Sequence, residues 1–577
     1  MHKIADQVAE GSALQRMGKH NKLRVLTLIA STLLLSAPLV HSEEKRVVLI
    51  RAQMPDTPFT LSEVQIDSIL RQTSLYFNSQ LADEELAFRF ELGPLVQLSG
   101  AYDAKSPALA VKEACIAADK TVNFRDYKEL VAVLFSGESF WAQQHSLSEE
   151  GIDLILDRTR INNYIAMGEG TSGAPFSTGV LCHEYAHYLG LQDLYDTDNE
   201  GSGGTSKGLW GSISLMDKGN ENDLWRNPVG LGALDFNLLG YGHCDTLSAG
   251  DWTLNPFSDS HRYLILPCDN EGEYFLFEAR SPKGYDSQIG GEGLLVYHID
   301  RSSQRAGYSD YYKLTLSALQ RWERNEVNAR PDRQCASIIE ATPDAREVKE
   351  VFFPYNDAAT LSSDGEPAFK DWSGKPMPLA LRNIALNADG SVSFSVIKPL
   401  TEGRNAVFQD RALMNWEMDE SLVAETDSCI LTFSCRVETI RLKCMPDSQG
   451  HIHVSAEGLT PGTAYSTCLK VYTHDAAYSI NGNISTMRSD QRNSTPFIFF
   501  TSAVRNKNGT FIKGSKCPLY VYNSSAAEEV EWYFNGEEAA TDENGFFSID
   551  KEGELRAVLH YSDGSSDVIV KEIVFKK

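Results

Sequence analysis

Five residues, His183-Glu184-Tyr185-Ala186-His187, constrain this chain more than any other stretch. On an α-helix, positions i and i+4 stand one turn apart on one face, so both imidazoles can reach a single cation. Glu184 falls about 60° around the helix from His187 at ~100° per residue. A carboxylate there can take a proton from a metal-bound water without binding the metal. Catalytic zinc takes three protein ligands and keeps one position open, so a third ligand is expected nearby. Ser177 and Thr178 are N-cap candidates, with Pro175 outside the helix. Leu181, Tyr185 and Tyr188 make a buried stripe on another side from the histidines. Gly190 can adopt positive φ and reverse the chain, which predicts Asp193 as the third ligand through carboxylate oxygen. Cys182 is rotated away from the metal face and reads as a small buried residue.

The surrounding composition limits the partners of such a site. Lys and Arg number 53 against 79 Asp and Glu, a net charge of −26. An acidic body of this kind repels nucleic acid and anionic membranes. Lys19, Lys22 and Arg24 precede the apolar run Val25 to Leu35, and Val40-His41-Ser42 offers a cleavage point. Residues 1–42 therefore read as an export signal, with Met17 an alternative start; the apolar run is short for a spanning helix. The expected product is exported, whether secreted, periplasmic or at the cell surface, with no membrane span. All ten cysteines lie beyond residue 42, where export permits disulfides, and none forms a C-x-x-C pair.

The order of elements up to the histidines is α/β. Val47 begins a strand, Val64 to Phe77 a helix, and Phe88–Phe90 and Leu95–Leu98 two strands. Ala108 to Ala118 reads as a helix, Val131 to Gly137 as a buried strand, and Tyr164 to Gly168 as a strand just before the metal helix. If that last strand is a sheet edge, an extended peptide can be held by strand addition. Past the helix, Asp196, Asp198 and Glu200 offer oxygen ligands for a structural Ca2+, although a solvated acidic loop is the commoner role. Met216, on a predicted tight turn, would give the histidines an apolar floor, and Asn227 to Tyr241 reads as a closing helix.

With these residues assembled, the run His183 to Asp196 resembles the zinc motif of the immune inhibitor A family of secreted bacterial metallopeptidases. The resemblance continues through Gly208 to Met216, Asn227 to Leu231 and Leu239-Gly240-Tyr241. Beyond the catalytic region it includes Glu273 to Glu278, Gly284 to Asp286, Gly293 to Asp300, Trp322, Asn325-Glu-Val-Asn328 and Ile339 to Ala341. It implies a metzincin-like zinc protease with His183, His187 and Asp193 as ligands, Glu184 as general base and Met216 in the Met-turn. Ala186 stands where the family often has Gly, and Gln192 where it often has Pro. The early first strand leaves no room for a long inhibitory pro-segment. His298 and Asp300 read as buried hydrogen-bonding residues of a scaffold strand, outside the site.

The expected architecture is multidomain: an α/β (α+β) zincin-type catalytic domain over 43–244, a β-rich region over 245–398, and two β-sandwich modules. The first, 400–490, resembles a fibronectin type III module with Trp416 as core residue. The second, 494–577, resembles an immunoglobulin-type sandwich around Trp532. Both read as spacers, with carbohydrate or a surface protein as possible contacts. The expected function is a zinc-dependent endopeptidase acting on proteins or peptides. The rival is an exported adhesin with a degenerate zincin domain, which the intact Glu184 opposes.

Overall fold

The computed structural model describes residues 43–575, apart from 82–85, 101, 103–106, 138–140, 172–173, 357, 489–494, 525–526 and 563. The expected export signal, 1–42, lies outside the described residues. The fold is a strand-rich mixture of α and β, built of separate sheets, none of them closed.

The first sheet has the order β2-β1-β3-β5-β4, with β1 at Glu43–Gln53, β2 at Leu86–Gln97, β3 at Leu130–Phe135, β4 at Gln143–Ser146 and β5 at Asn163–Gly168. Strands β1, β3 and β5 are parallel, and β4 runs antiparallel to β5. The near-continuous apolar runs of the parallel strands follow from burial on both faces. Val47, Leu49, Leu130, Ala132, Leu134, Ile165 and Met167 face helices α1 (Glu63–Leu81) and α3 (Thr178–Leu189). The intervening Val48, Ile50, Val131, Val133, Tyr164 and Ala166 face α2 (Ala108–Ala118). This is the two-residue period of a strand applied to a sheet sandwiched by helices.

Three expectations are corrected here. The strands expected at 88–90 and 95–98 are one strand, β2. Gly93 runs so close to β1 that a Cβ there would stand 2.8 Å from the Leu49 carbonyl oxygen, so the Gly-Pro pair passes through the strand instead of ending it. Strand β5 is not an edge, because β4 lies outside it. Of 227–241, only Ala233–Leu239 (α4) is helical. Residues 229–231 lie outside any helix or strand, held by Tyr76 Oη donating to the Val229 carbonyl (2.6 Å) and Leu231 N donating to Gln80 Oε1 (2.5 Å).

A second five-stranded sheet follows: β6 (His243–Thr246), β7 (Arg262–Pro267), β8 (Glu273–Arg280), β9 (Gly293–Asp300) and β10 (Ala336–Ile338), in that order. Leu276, Leu295, Tyr297 and Ile299 join the core beneath α1 and α3, so the two sheets share one apolar interior. His298 Nε2 lies 2.8 Å from Glu273 Oε1, and Asp300 accepts from Ser302 N and Arg333. Beyond residue 399, Trp416 is buried in a core with Leu431, Phe433 and Tyr465. Trp532 is only half-buried; Phe547, Leu555, Ala557 and Leu559 fill the last core instead. All ten cysteines are free thiols, with Cys429 and Cys444 facing each other across paired strands.

Candidate metal centre

Helix α3 starts where Ser177 Oγ accepts from Val180 N (3.3 Å), which satisfies one of the otherwise unpaired first-turn amides. It ends at Gly190, φ 112°. There Gly190 N donates to the His187 carbonyl (2.9 Å) and Leu191 N to that of Ala186 (3.1 Å), the paired bonds of a Schellman cap. This cap also aims the Leu191 carbonyl at His187, whose Nδ1 donates to it at 2.9 Å. His183 Nδ1 likewise meets the Leu215 carbonyl at 2.9 Å, next to the fully buried Met216. With both Nδ1 protons engaged by carbonyls, each imidazole presents an Nε2 lone pair to the same space.

Asp193 closes that space. Its Oδ1 stands 3.1 Å from His183 Nε2 and 3.2 Å from His187 Nε2, and is buried with no hydrogen-bond partner. One candidate ligand atom from each of the three residues lies within 4.8 Å of the others. Two imidazole lone pairs and a carboxylate oxygen facing one another are tolerable only around a cation or a shared proton. Zinc bonds of about 2.0–2.1 Å in a tetrahedron set donor–donor edges near ~3.3 Å, so the donor set fits zinc. Without a metal, protons take its place. Burial lowers the His187 pKa, but the Asp193 carboxylate outweighs it and brings it to about 9. Burial works to raise the Asp193 carboxyl, yet the two imidazoles hold it far below the usual carboxylate range.

The third residue is itself clamped from a distant part of the chain. Asn325 Nδ2 donates to Asp193 Oδ2 (2.6 Å), and Asp193 N donates to Asn325 Oδ1 (2.7 Å). Asn328 Nδ2 donates to the Leu194 carbonyl (2.8 Å), while Leu194 N donates to that of Met216 (2.7 Å). Tyr195 stacks on the His183 ring at 6.4 Å. The family resemblance takes in Asn325–Asn328 but gives Asn325 no role; 132 residues separate it from Asp193, and no local pattern signals such a clamp. Asn325→Ala is expected to weaken zinc binding about 10–100-fold, the usual effect of losing a residue that orients a ligand, measured by chelator competition. Because Asn325 has φ 56°, Asn325→Gly serves as the strain-free control and should weaken binding equally.

Glu184 lies beside the cluster, 7% exposed. Burial raises its carboxyl pKa, opposed by the neighbouring histidines and by a backbone hydrogen bond from Gln144 of β4. A polar cavity of about 330 Å³ runs from His187 and Tyr188 along Gln144, His145 and Ser146. The expected calcium loop is supported less far, although both Asp198 carboxylate oxygens are buried without a partner. Asp196 accepts from Asp198 N (3.2 Å) and Ser206 N (2.8 Å), and among the described residues its carboxylates do not converge into a metal-holding group.

A helix-borne histidine pair, an adjacent glutamate and a carboxylate returned by a glycine turn are the donor set that metal-dependent hydrolases use. Residues 157–224 match the family model described as "Immune inhibitor A peptidase M6, catalytic domain". The match supports the immune inhibitor A-like peptidase family for this chain, and with it a metallopeptidase acting on protein or peptide substrates. It is a match to a catalytic domain and does not favour the adhesin rival. No curated protein matches the chain. Among solved structures, a two-domain fibronectin type III segment of chicken tenascin is 12% identical, covering 30% of this chain and 96% of that segment, with a TM-score of 0.14. A chimeric titin Z1Z2 tandem bearing a fibronectin peptide is 9% identical, covering 31% and 100%, with a TM-score of 0.12. No helix among the described residues is long and apolar enough to cross a membrane.

Proposed function

We propose that the chain is an exported zinc endopeptidase in which His183, His187 and Asp193 hold the metal and Glu184 is the general base. The observation that carries this reading is the convergence of both Nε2 atoms on the buried Asp193 Oδ1 beside a buried glutamate. When bound, zinc would acidify a water toward pKa ~7 and polarise the scissile carbonyl.

The remaining steps belong to the protein. Glu184, with its carboxyl raised by burial, is better matched to proton transfer at neutral pH than a solvated glutamate. Its carboxylate takes the proton of the attacking water and returns it to the leaving amine nitrogen. The Nδ1 bonds to the Leu191 and Leu215 carbonyls keep both imidazoles in one tautomer. Strand β4 is the sheet edge next to the cluster, so an extended substrate can pair with it by strand addition and lie along the cavity to His187. We assign 43–244 to the catalytic domain, 245–398 to a β-rich scaffold that supplies Asn325, and 400–490 and 494–577 to appended sandwiches.

The protonated state of the metal-free cluster gives a pH test. A His187 pKa near 9 means that the imidazole carries a proton through the neutral range, which an incoming metal must displace. Titration of Zn2+ into the metal-free protein at about pH 7.5 is expected to release about one proton more than the same titration of His187→Ala, the difference falling toward none as pH rises past the His187 pKa. Calorimetry in buffers of different ionisation enthalpy reads this directly. Equal proton release from the parent and from His187→Ala at about pH 7.5 would contradict a His187 imidazole that is protonated in the metal-free cluster.

A further inference from the structure

The described residues hold two other clusters of metal-ligating type. In one, Cys268, Glu273 and His298, the donors are already used. His298 Nε2 is bonded to Glu273 Oε1, which also accepts from Trp372 N at 2.7 Å. The other, Asp447, His451 and His453, is built differently.

His451 and His453 are alternate residues of a strand, β12 (His451–Glu457), so both project from one face of it. Their rings stack at 5.8 Å, 19° from parallel. Strand β11 (Arg411–Met418) pairs with β12 and sets Asn415 opposite His453. Asn415 Nδ2 donates to the Arg404 carbonyl at 2.6 Å, which fixes the amide so that Oδ1 faces His453. The 2.8 Å contact between Asn415 Oδ1 and His453 Nδ1 therefore has Nδ1–H as donor, and in the neutral ring Nε2 carries a lone pair. That Nε2 is buried and has no partner. The same device, an oxygen fixing Nδ1–H, bares Nε2 on His183 and His187.

Asp447 supplies the third donor. Its Oδ1 accepts from Gln449 N (2.8 Å) and His451 N (2.9 Å), which locks the carboxylate in the turn preceding β12. Oδ2 is left facing His451 Nδ1 at 3.2 Å. One candidate ligand atom from each of the three residues lies within 4.8 Å of the others. A cavity of about 230 Å³ opens beside His451, lined also by Arg404, Glu417, Lys516 and Asp542.

We propose that Asp447, His451 and His453 form a second transition-metal site that takes Zn2+. Two imidazole nitrogens and one carboxylate oxygen suit zinc, copper or nickel rather than calcium or magnesium, which prefer all-oxygen sites. The ion would sit among Asp447, His451 and His453, with water completing the coordination.

The test is metal content of the full chain, loaded with Zn2+ alone, passed through gel filtration and measured by mass spectrometry. His451→Gln, a change at a partly exposed residue, and His453→Ala are each expected to lose one equivalent while retaining peptidase activity. His183→Ala/His187→Ala is expected to keep one equivalent, which His451→Gln then removes. The second arm separates this site from the proposed catalytic one: if His183 and His187 bind no zinc, loss on His451→Gln still stands. Equal zinc in the parent and in both single variants overturns the proposal, as does a His183→Ala/His187→Ala protein with no zinc.

Discussion

Glu184→Gln is expected to keep its zinc and lose peptide hydrolysis. The side chain is not among the converging donors, so the metal has no reason to leave. Gln matches Glu in shape and fits the same buried space beside α3, but an amide oxygen cannot accept and hold the water's proton at neutral pH. General-base catalysis contributes about 10²–10⁴-fold, so a loss of at least ~10²-fold in kcat is expected. The Gln144 amide of β4 donates to Glu184, and a Gln side-chain oxygen can accept the same bond, so KM should change less than kcat. Metal content and turnover of casein on the same preparation decide the matter. Undiminished cleavage would remove Glu184 from the mechanism.

The second large effect is on stability. Arg280 is 1% exposed and makes a two-pronged contact with Asp286, Nε to Oδ2 at 2.9 Å and Nη2 to Oδ1 at 2.6 Å. Its Nη1 reaches Glu278 Oε1 at 3.2 Å. Both carboxylates also grip the backbone leading into α4: Asp286 Oδ1 accepts from Gly230 N (3.2 Å) and Glu278 Oε2 from Ala233 N (2.9 Å). The cluster thus fastens the 230–233 segment to strand β8. Arg280→Ala leaves two carboxylates buried without their cation, and breaking such a pair costs about 3–5 kcal/mol. The expected result is a loss of that size in the first cooperative urea transition, followed by tryptophan fluorescence. Substituting Glu278→Gln and Asp286→Asn as well removes the uncompensated charges and should recover part of it. A change below about 1 kcal/mol for Arg280→Ala would show that the cluster carries little of the fold.

What could be read from the sequence was local. Ser177 as cap, Gly190 as the left-handed terminus and α2 at Ala108–Ala118 all follow from short-range chemistry, and the structure has them at those residues. The apolar runs Val47–Ala52 and Val131–Phe135 are equally local, because a strand buried on both faces reads as a continuous apolar stretch whatever its partners. Three things lay beyond that reach. Strand β4 is Gln-Gln-His-Ser, with no apolar alternation, since it is a half-exposed edge held by β5. Residues 229–231 stay out of α4, with Tyr76 and Gln80, far back in α1, taking their backbone groups. Asn325 and Asn328 fix the Asp193 loop from the second sheet's region, and only the folded chain brings them there. The chemical residues were legible; the parts that orient them were not.

The central claim is that the His183–His187–Asp193 cluster makes this chain a zinc-dependent peptidase. The most direct test is casein cleavage by the purified full chain before chelation, after removal of metal, and after Zn2+ is added back. The account predicts cleavage, then loss, then recovery, with His187→Ala inactive at every stage. Cleavage that survives complete metal removal, or a zinc-loaded protein that cleaves nothing, would contradict it.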